Sequence, residues 1–187
     1  MTVGYRFWVV RPGEDLLLSP YVAPPVEGIN VLQASEIALR MVSGEDYGPA
    51  WFSARMTATC PTAPDHRPPA PGCLCGVFAE RTVEHARVRA QRHRVSVEAN
   101  LVRAWRRGLA IPPPPSYVIG AVALTGAIPF VPAPPMFRVA DDELRAAAAE
   151  IVDLLVPVDS GDPQLGERLA ARYGVPVSVV KPAIAGR

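Results

Sequence analysis

From Tyr5 to Val10, aromatic and β-branched residues recur with a period of two and the run ends at Pro12, which predicts an opening strand. A second short strand is expected near Leu16 to Val22, closed by Pro24 and Pro25. Ile37, Ala38, Met41 and Val42 stand at helical spacing within Ala34 to Val42, with Ser43-Gly44 as the stop. Trp51 to Cys60 reads as strand and leads into Pro61 to Gly72, a loop whose five prolines leave little room for regular structure.

The strongest periodicity lies between Thr82 and Arg107. Val83, Ala86, Ala90, Val97, Leu101 and Trp105 recur at three, four and seven residues, which places them on one helical face. Gly108 suits the stop, and Pro112 to Pro115 prevent the helix from resuming. Tyr117 to Ile128 then predicts a core strand. Asp141 or Asp142 can cap an alanine-rich helix running through Leu154, with Leu144, Ile151, Val152 and Leu155 available for burial. A last helix, Pro163 to Tyr173, has Asp162 as its cap and Gly174 as its end, and Val175 to Val180 forms a terminal strand. Strands and helices mix without regular alternation. The expected class is therefore α+β: a small mixed sheet with one long amphipathic helix, two shorter C-terminal helices and a zinc-stabilised loop.

Composition supports one domain over residues 1–187, with a metal-binding loop at 60–76, the arginine-rich helix at 82–107 and proline-rich loops at 111–116 and 129–135. The apolar share of 49% and charged share of 20% are globular values. The 22 prolines among 187 residues imply many stiff, extended connections. A net charge of +1 supplies no global field toward nucleic acid or membrane, so a basic surface has to be local. The residues from Ile111 to Phe137 carry no charge and are numerous enough to span a bilayer, but their prolines break any helix, so a buried strand followed by a loop is expected. The first residues lack a secretory pattern, and a cytoplasmic location without membrane contact is the expectation.

The chemistry concentrates in sixteen residues. Cys60, His66, Cys73 and Cys75 are separated by five, six and one residues, and all the cysteines of the chain are among them. Three thiolates and one imidazole form a standard tetrahedral set for Zn²⁺, the expected cofactor. Gly72 and Gly76 flank the close pair, where the backbone has to curve for both sulfurs to face one ion. A single residue between cysteines is shorter than the usual two to four, and the plainer alternative is a buried strand thiol at Cys60 beside unrelated loop residues. Disulfide bonding suits neither the odd count nor a reducing compartment. The His-x-Glu and Cys-x-x-Cys elements of zinc deaminases are absent. A thiol nucleophile, Cys73 beside His66 or His85, lacks a third orienting group in the sequence, so no catalytic residue is assigned.

On the long helix, Arg89, Arg92, Arg103, Arg106 and Arg107 fall on an arc of about 100°, away from the apolar face, over a length of about 27 Å. Between Glu80 and Ala110 eight arginines face three glutamates. Such a stripe can follow a phosphate backbone of DNA or RNA. A solvated surface or one facing an acidic protein is the alternative, since Lys181 is the only lysine and arginine is abundant throughout. Trp105 is expected in the core.

Several runs together resemble a group of actinobacterial and actinophage proteins that bring no assigned activity. These are Leu18-Ser19-Pro20, Cys73-Leu74-Cys75-Gly76-Val77-Phe78-Ala79, Val118 to Leu124, and Ala170 to Val177 with its Ala-x-Arg-Tyr-Gly-Val-Pro-Val pattern. The resemblance covers most of the chain outside the long helix. Thr125-Gly126 stands where the similar proteins have Trp-Gly, and Leu144-Arg145-Ala146-Ala147 stands where they have a Gly-Tyr-Arg-Ala-Glu run. The function expected from the residues is a zinc-stabilised binding module contacting nucleic acid. The alternatives are a protein-interaction module using segments such as Pro112 to Pro115, and, further off, a thiol or zinc hydrolase.

Overall fold

The period-two run at the N-terminus becomes β1 (Thr2–Val10), and the uncharged run after the prolines becomes β6 (Ser116–Thr125). The two pair antiparallel along their full lengths, from Thr2 opposite Leu124 to Val10 opposite Ser116. This computed structural model describes residues 2–20, 48–60, 65–70, 75–111, 113–129 and 143–181. The helix expected at Ala34 to Val42 lies outside the described residues, as do Cys73, Asp141 and Asp142.

The other elements are β2 (Leu17–Leu18), β3 (Ala50–Trp51), β4 (Arg55–Thr57), β5 (Val77–Glu80), α1 (Val83–Trp105), β7 (Ile128–Pro129), β8 (Glu143–Ala146), β9 (Ala148–Pro157), α2 (Leu165–Tyr173) and β10 (Val177–Val180). One mixed sheet runs β10-β9-β6-β1-β5-β8-β7, with β2 on β1, β3 on β2 and β4 on β9. Only β10 against β9 is parallel. Ala147 alone separates β8 from β9, so these are two halves of one bent strand: the first half pairs with β5 and the second with β6. With β8 and β9 continuous through Ala147, the pairings β1-β6, β6-β9, β8-β5 and β5-β1 close a circuit, and buried side chains from one side of these strands meet in a common interior.

β8 and β9 correct the alanine-rich helix expected up to Leu154. Alanine favours helix by less than about 1 kcal/mol per residue. Here alternation decides instead: Leu144, Ala146, Ala149, Ile151, Leu154 and Val156 turn inward and are buried, while Glu150 and Val152 between them are exposed. A segment buried between β5 and β6 gains more from that burial than propensity can offer. Among the described residues the fold is α+β with two helices, one fewer at the C-terminal end than expected.

The interior holds Trp8, Val10, Val118, Val122 and Leu154, and it is closed by Trp51, Leu17 and the buried Leu165, Leu169 and Tyr173 of α2. The Tyr173 hydroxyl accepts the Leu17 N–H at 2.9 Å and donates to the Trp51 carbonyl at 2.7 Å, which fastens α2 to β2 and β3. Gly174 then ends α2 in the left-handed conformation at φ 65°, as its place in the sequence predicts. Asp162 acts at the start of this helix, accepting the Gln164 N–H at 3.1 Å and pairing with Arg168. At Gly120 a Cβ atom would come within 2.2 Å of the Asp153 carbonyl oxygen, so β6 and β9 approach there more closely than any other residue permits.

α1 matches its expected span, with Thr82 Oγ1 accepting the His85 N–H as the N-cap. It lies across β1, β5 and β6 on the other side of the sheet, burying Ala86, Ala90, Val97, Leu101 and Ala104. Trp105 does not join them: it is 65% exposed, because Ala104 takes the sheet-facing position and the next residue turns about 100° away. No helix among the described residues is long and apolar enough to cross a membrane.

His93 sits between Phe7 and Tyr117, with ring centroids 5.8 and 5.7 Å away, and its Nδ1 is 3.2 Å from the Tyr117 hydroxyl. Burial pushes its pKa down to about 4. A depressed base is neutral in the fold and protonated in the unfolded chain between pH 6.5 and 4. Stability contributed by the neutral ring is therefore full above pH 6.5 and falls as the pH drops toward 4. His93→Phe is expected to flatten that limb by up to about 3 kcal/mol relative to wild type, measured by urea unfolding at several pH values.

Candidate metal centre and the charged face of the long helix

Cys60 follows β4, whose trailing end is pinned by the Ala58 N–H donating to the Ala147 carbonyl at 2.8 Å, at the bend between β8 and β9. Cys75 stands two residues before β5, and His66 lies in the segment 65–70 between them. Gly76 makes the entry to β5 possible. Its φ is +125°, and a Cβ there would meet the Ala146 carbonyl, Arg145 Cβ and Pro69 Cβ, each at 3.3 Å.

Cys60 Sγ, a ring nitrogen of His66 and Cys75 Sγ all lie within 4.8 Å of one another, with His66 Nε2 at 3.1 Å from Cys75 Sγ. Both cysteines are buried and the histidine is half-buried. The group could hold a metal ion. Donors bonded to one tetrahedral zinc at 2.0 to 2.3 Å stand roughly 3.5 to 3.8 Å apart, which fits this clustering. Thiolate and imidazole donors select a borderline or soft ion over Mg²⁺ or Ca²⁺. The structure thus brings together three of the four residues singled out by the sequence, and Cys73 lies outside the described residues.

Comparison finds no matching family model, curated protein or solved structure. The local chemistry alone carries the reading of the site.

The arginine stripe divides. Arg89 turns to the sheet, where its Nη1 bridges the Glu80 carboxylate and the Glu143 carboxylate, the latter at 2.6 Å. Both glutamates are almost fully buried, at 4% and 3% side-chain exposure. This corrects the assignment of Arg89 to a nucleic-acid surface: it is spent on an internal ion network. The reason is the sheet register, since Glu80 is paired with Glu143 and both side chains point toward α1. Burial holds the Glu143 carboxyl above its ordinary range against the pull of Arg89. Arg6, whose guanidinium donates to the Phe78 carbonyl, is lowered to about 10 by burial and then by Arg89, and keeps its charge at neutral pH.

Arg92, Arg103, Arg106 and Arg107 remain on the exposed side of the helix and its C-terminal turn. Arg103 donates to Asn100 at 3.0 Å. Glu80, Glu143, Arg6 and Arg145 were not singled out by the sequence. Arg89 is 54 residues from Glu143 and Phe78 is 72 from Arg6, and although Glu80 is only nine residues from Arg89, the register of β5 on β8 is what sets it beside Glu143.

Proposed function

We propose that the chain is a zinc-stabilised binding module whose partner is nucleic acid, met through the arginine-bearing flank of α1. The convergence of Cys60, His66 and Cys75 from a strand end, a loop and a strand entry carries the first half. Three donors from three separate segments fasten a proline-dense excursion that has little apolar surface of its own. Zn²⁺ supplies a tetrahedral centre for two thiolates and an imidazole, and Cys73, within about 7 Å of Cys75 along the chain, is the candidate fourth ligand.

Support for the second half is the exposed set Arg92, Arg103, Arg106 and Arg107 together with Trp105 at 65% exposure. Guanidinium groups suit phosphates, and the open indole of Trp105, next to Arg106 at the end of the helix, offers a face on which a base can stack. This pairing favours single strands. Nothing in it reads a base edge, so binding is expected to be tolerant of sequence.

The test is fluorescence anisotropy with labelled random-sequence single-stranded and duplex probes over a salt series. Binding should weaken linearly on a logarithmic plot, and each Arg→Ala variant should reduce the slope by about 0.7 to 0.9. Trp105→Ala should cost about 1 to 3 kcal/mol on single strands and little on duplex. Absence of binding at low salt would eliminate the nucleic-acid reading while leaving the metal centre untouched.

A further inference from the structure

Val88, Val95 and Val102 of α1 stay in solvent at 46%, 52% and 47% exposure. They recur every seven residues. At about 100° per residue this keeps them within about 20° of one line along the helix, opposite the buried stripe from Ala86 to Ala104. Glu84 and Arg106 extend the same line, four residues before the first valine and four after the last. Both are exposed, and neither forms an ion pair among the described residues.

The line therefore reads Glu84, Val88, Val95, Val102, Arg106, with spacings that are the same from either end and opposite charges at the two ends. Such an array complements itself in one orientation. Turned antiparallel about Val95, a second copy sets Val102 against Val88, Val95 against Val95, and Arg106 against Glu84 at both ends. A parallel pairing would set Arg106 on Arg106 and Glu84 on Glu84, so charge selects the antiparallel one.

We propose that the outer face of α1 is the seam of a two-fold dimer, in which α1 pairs antiparallel with α1 of a second copy about Val95. The seam from Glu84 to Arg106 is about 33 Å long at 1.5 Å per residue. Half-exposed valines on a single pair of helices give an interface at the small end of the range, so the dimer forms reversibly at roughly micromolar concentration. Its axis is perpendicular to the helices and to the line joining them, so the same flank of each helix faces the same way. Arg92 and Arg103 of both copies then share one surface, while Arg106 is drawn into the seam and is open to phosphate only in the monomer. Trp105 of one copy comes level with Arg87 of the other, close enough in height for a cation–π contact.

Sedimentation velocity on the full-length, metal-replete protein from about 1 to 200 µM tests this. Wild type should show a concentration-dependent monomer–dimer equilibrium, and Val95→Glu should abolish it. Glu84→Arg and Arg106→Glu should each weaken dimerisation about tenfold or more, and the double variant Glu84→Arg/Arg106→Glu should restore it. All these positions are exposed, so circular dichroism should be unchanged across the set. A wild type that remains monomeric throughout, a dimer indifferent to Val95→Glu, or a double variant as weak as the singles would each overturn the proposal. Nucleic-acid binding by the monomeric Val95→Glu variant is read separately, so failure of the dimer and failure of the nucleic-acid reading are distinguishable.

Discussion

Cys75→Ser is expected to lower the free energy of unfolding by about 3 to 4 kcal/mol and to make the protein insensitive to chelator. The size follows from mass action: an ion that binds only the folded chain, at 100 to 1,000 times its dissociation constant, contributes about 2.7 to 4.1 kcal/mol. The main core does not depend on the ion, because Trp8, Val118, Val122 and Leu154 pack on strands held by their own ladders. The variant should therefore remain folded, with local exchange around residues 60–76 and not global loss of structure. Chelating the wild type should bring it to the level of the variant in urea unfolding. The same stabilisation should fade as the pH is lowered, since thiolates and the imidazole must be deprotonated to bind metal. Equal sensitivity of wild type and Cys75→Ser to chelator would contradict the assignment of Cys75 as a ligand.

Arg89→Met carries the second large effect, a loss of about 3 to 4 kcal/mol at neutral pH. Methionine keeps most of the aliphatic stem, but Glu80 and Glu143 are left as two buried carboxylates without their shared cation. Removing one partner of a buried ion pair typically costs about 3 to 5 kcal/mol, and the lower part of that range suits Arg89, whose side chain is 38% exposed. Protonation supplies the check. Glu143 already has a raised pKa from burial, so its contribution is full below the unfolded carboxylate value and is lost as the pH rises through the folded one. Without Arg89 the Glu143 carboxyl takes up a proton more readily, and the deficit of Arg89→Met against wild type should shrink between pH 7 and pH 4. Adding Glu143→Gln to Arg89→Met should recover part of the loss at pH 7, measured as a double-mutant cycle. A deficit that does not vary with pH would indicate lost packing instead of unpaired charge.

Local pattern carried much of the architecture. β1, α1, β6, α2 and β10 are each legible, because alternation, a three-four-seven stripe or a left-handed glycine stop is written within one segment. What was illegible is non-local. The segment from Glu143 to Pro157 has helix-forming alanines, and only its position between β5 and β6 makes it strand. Trp105 shares its helical stripe by count, yet one step of rotation at the end of α1 takes it off the sheet. Arg89 belongs to the basic arc by angle and to an internal network by contact, because the carboxylates waiting for it come from β5 and β8. The clustering of Cys60, His66 and Cys75 as a candidate metal group was legible by composition, since thiols and imidazole gathered in sixteen residues are uncommon, and the return of Cys60 to Cys75 depends on the Ala58–Ala147 hydrogen bond and on Gly76.

Metal content of the protein purified without chelator, by native mass spectrometry with elemental analysis, bears most directly on whether Cys60, His66 and Cys75 hold an ion. About one zinc per chain is expected, retained on desalting and lost in Cys75→Ser. A chain that carries no metal after zinc is supplied, with all its cysteines reacting freely with a thiol reagent under native conditions, would contradict the account.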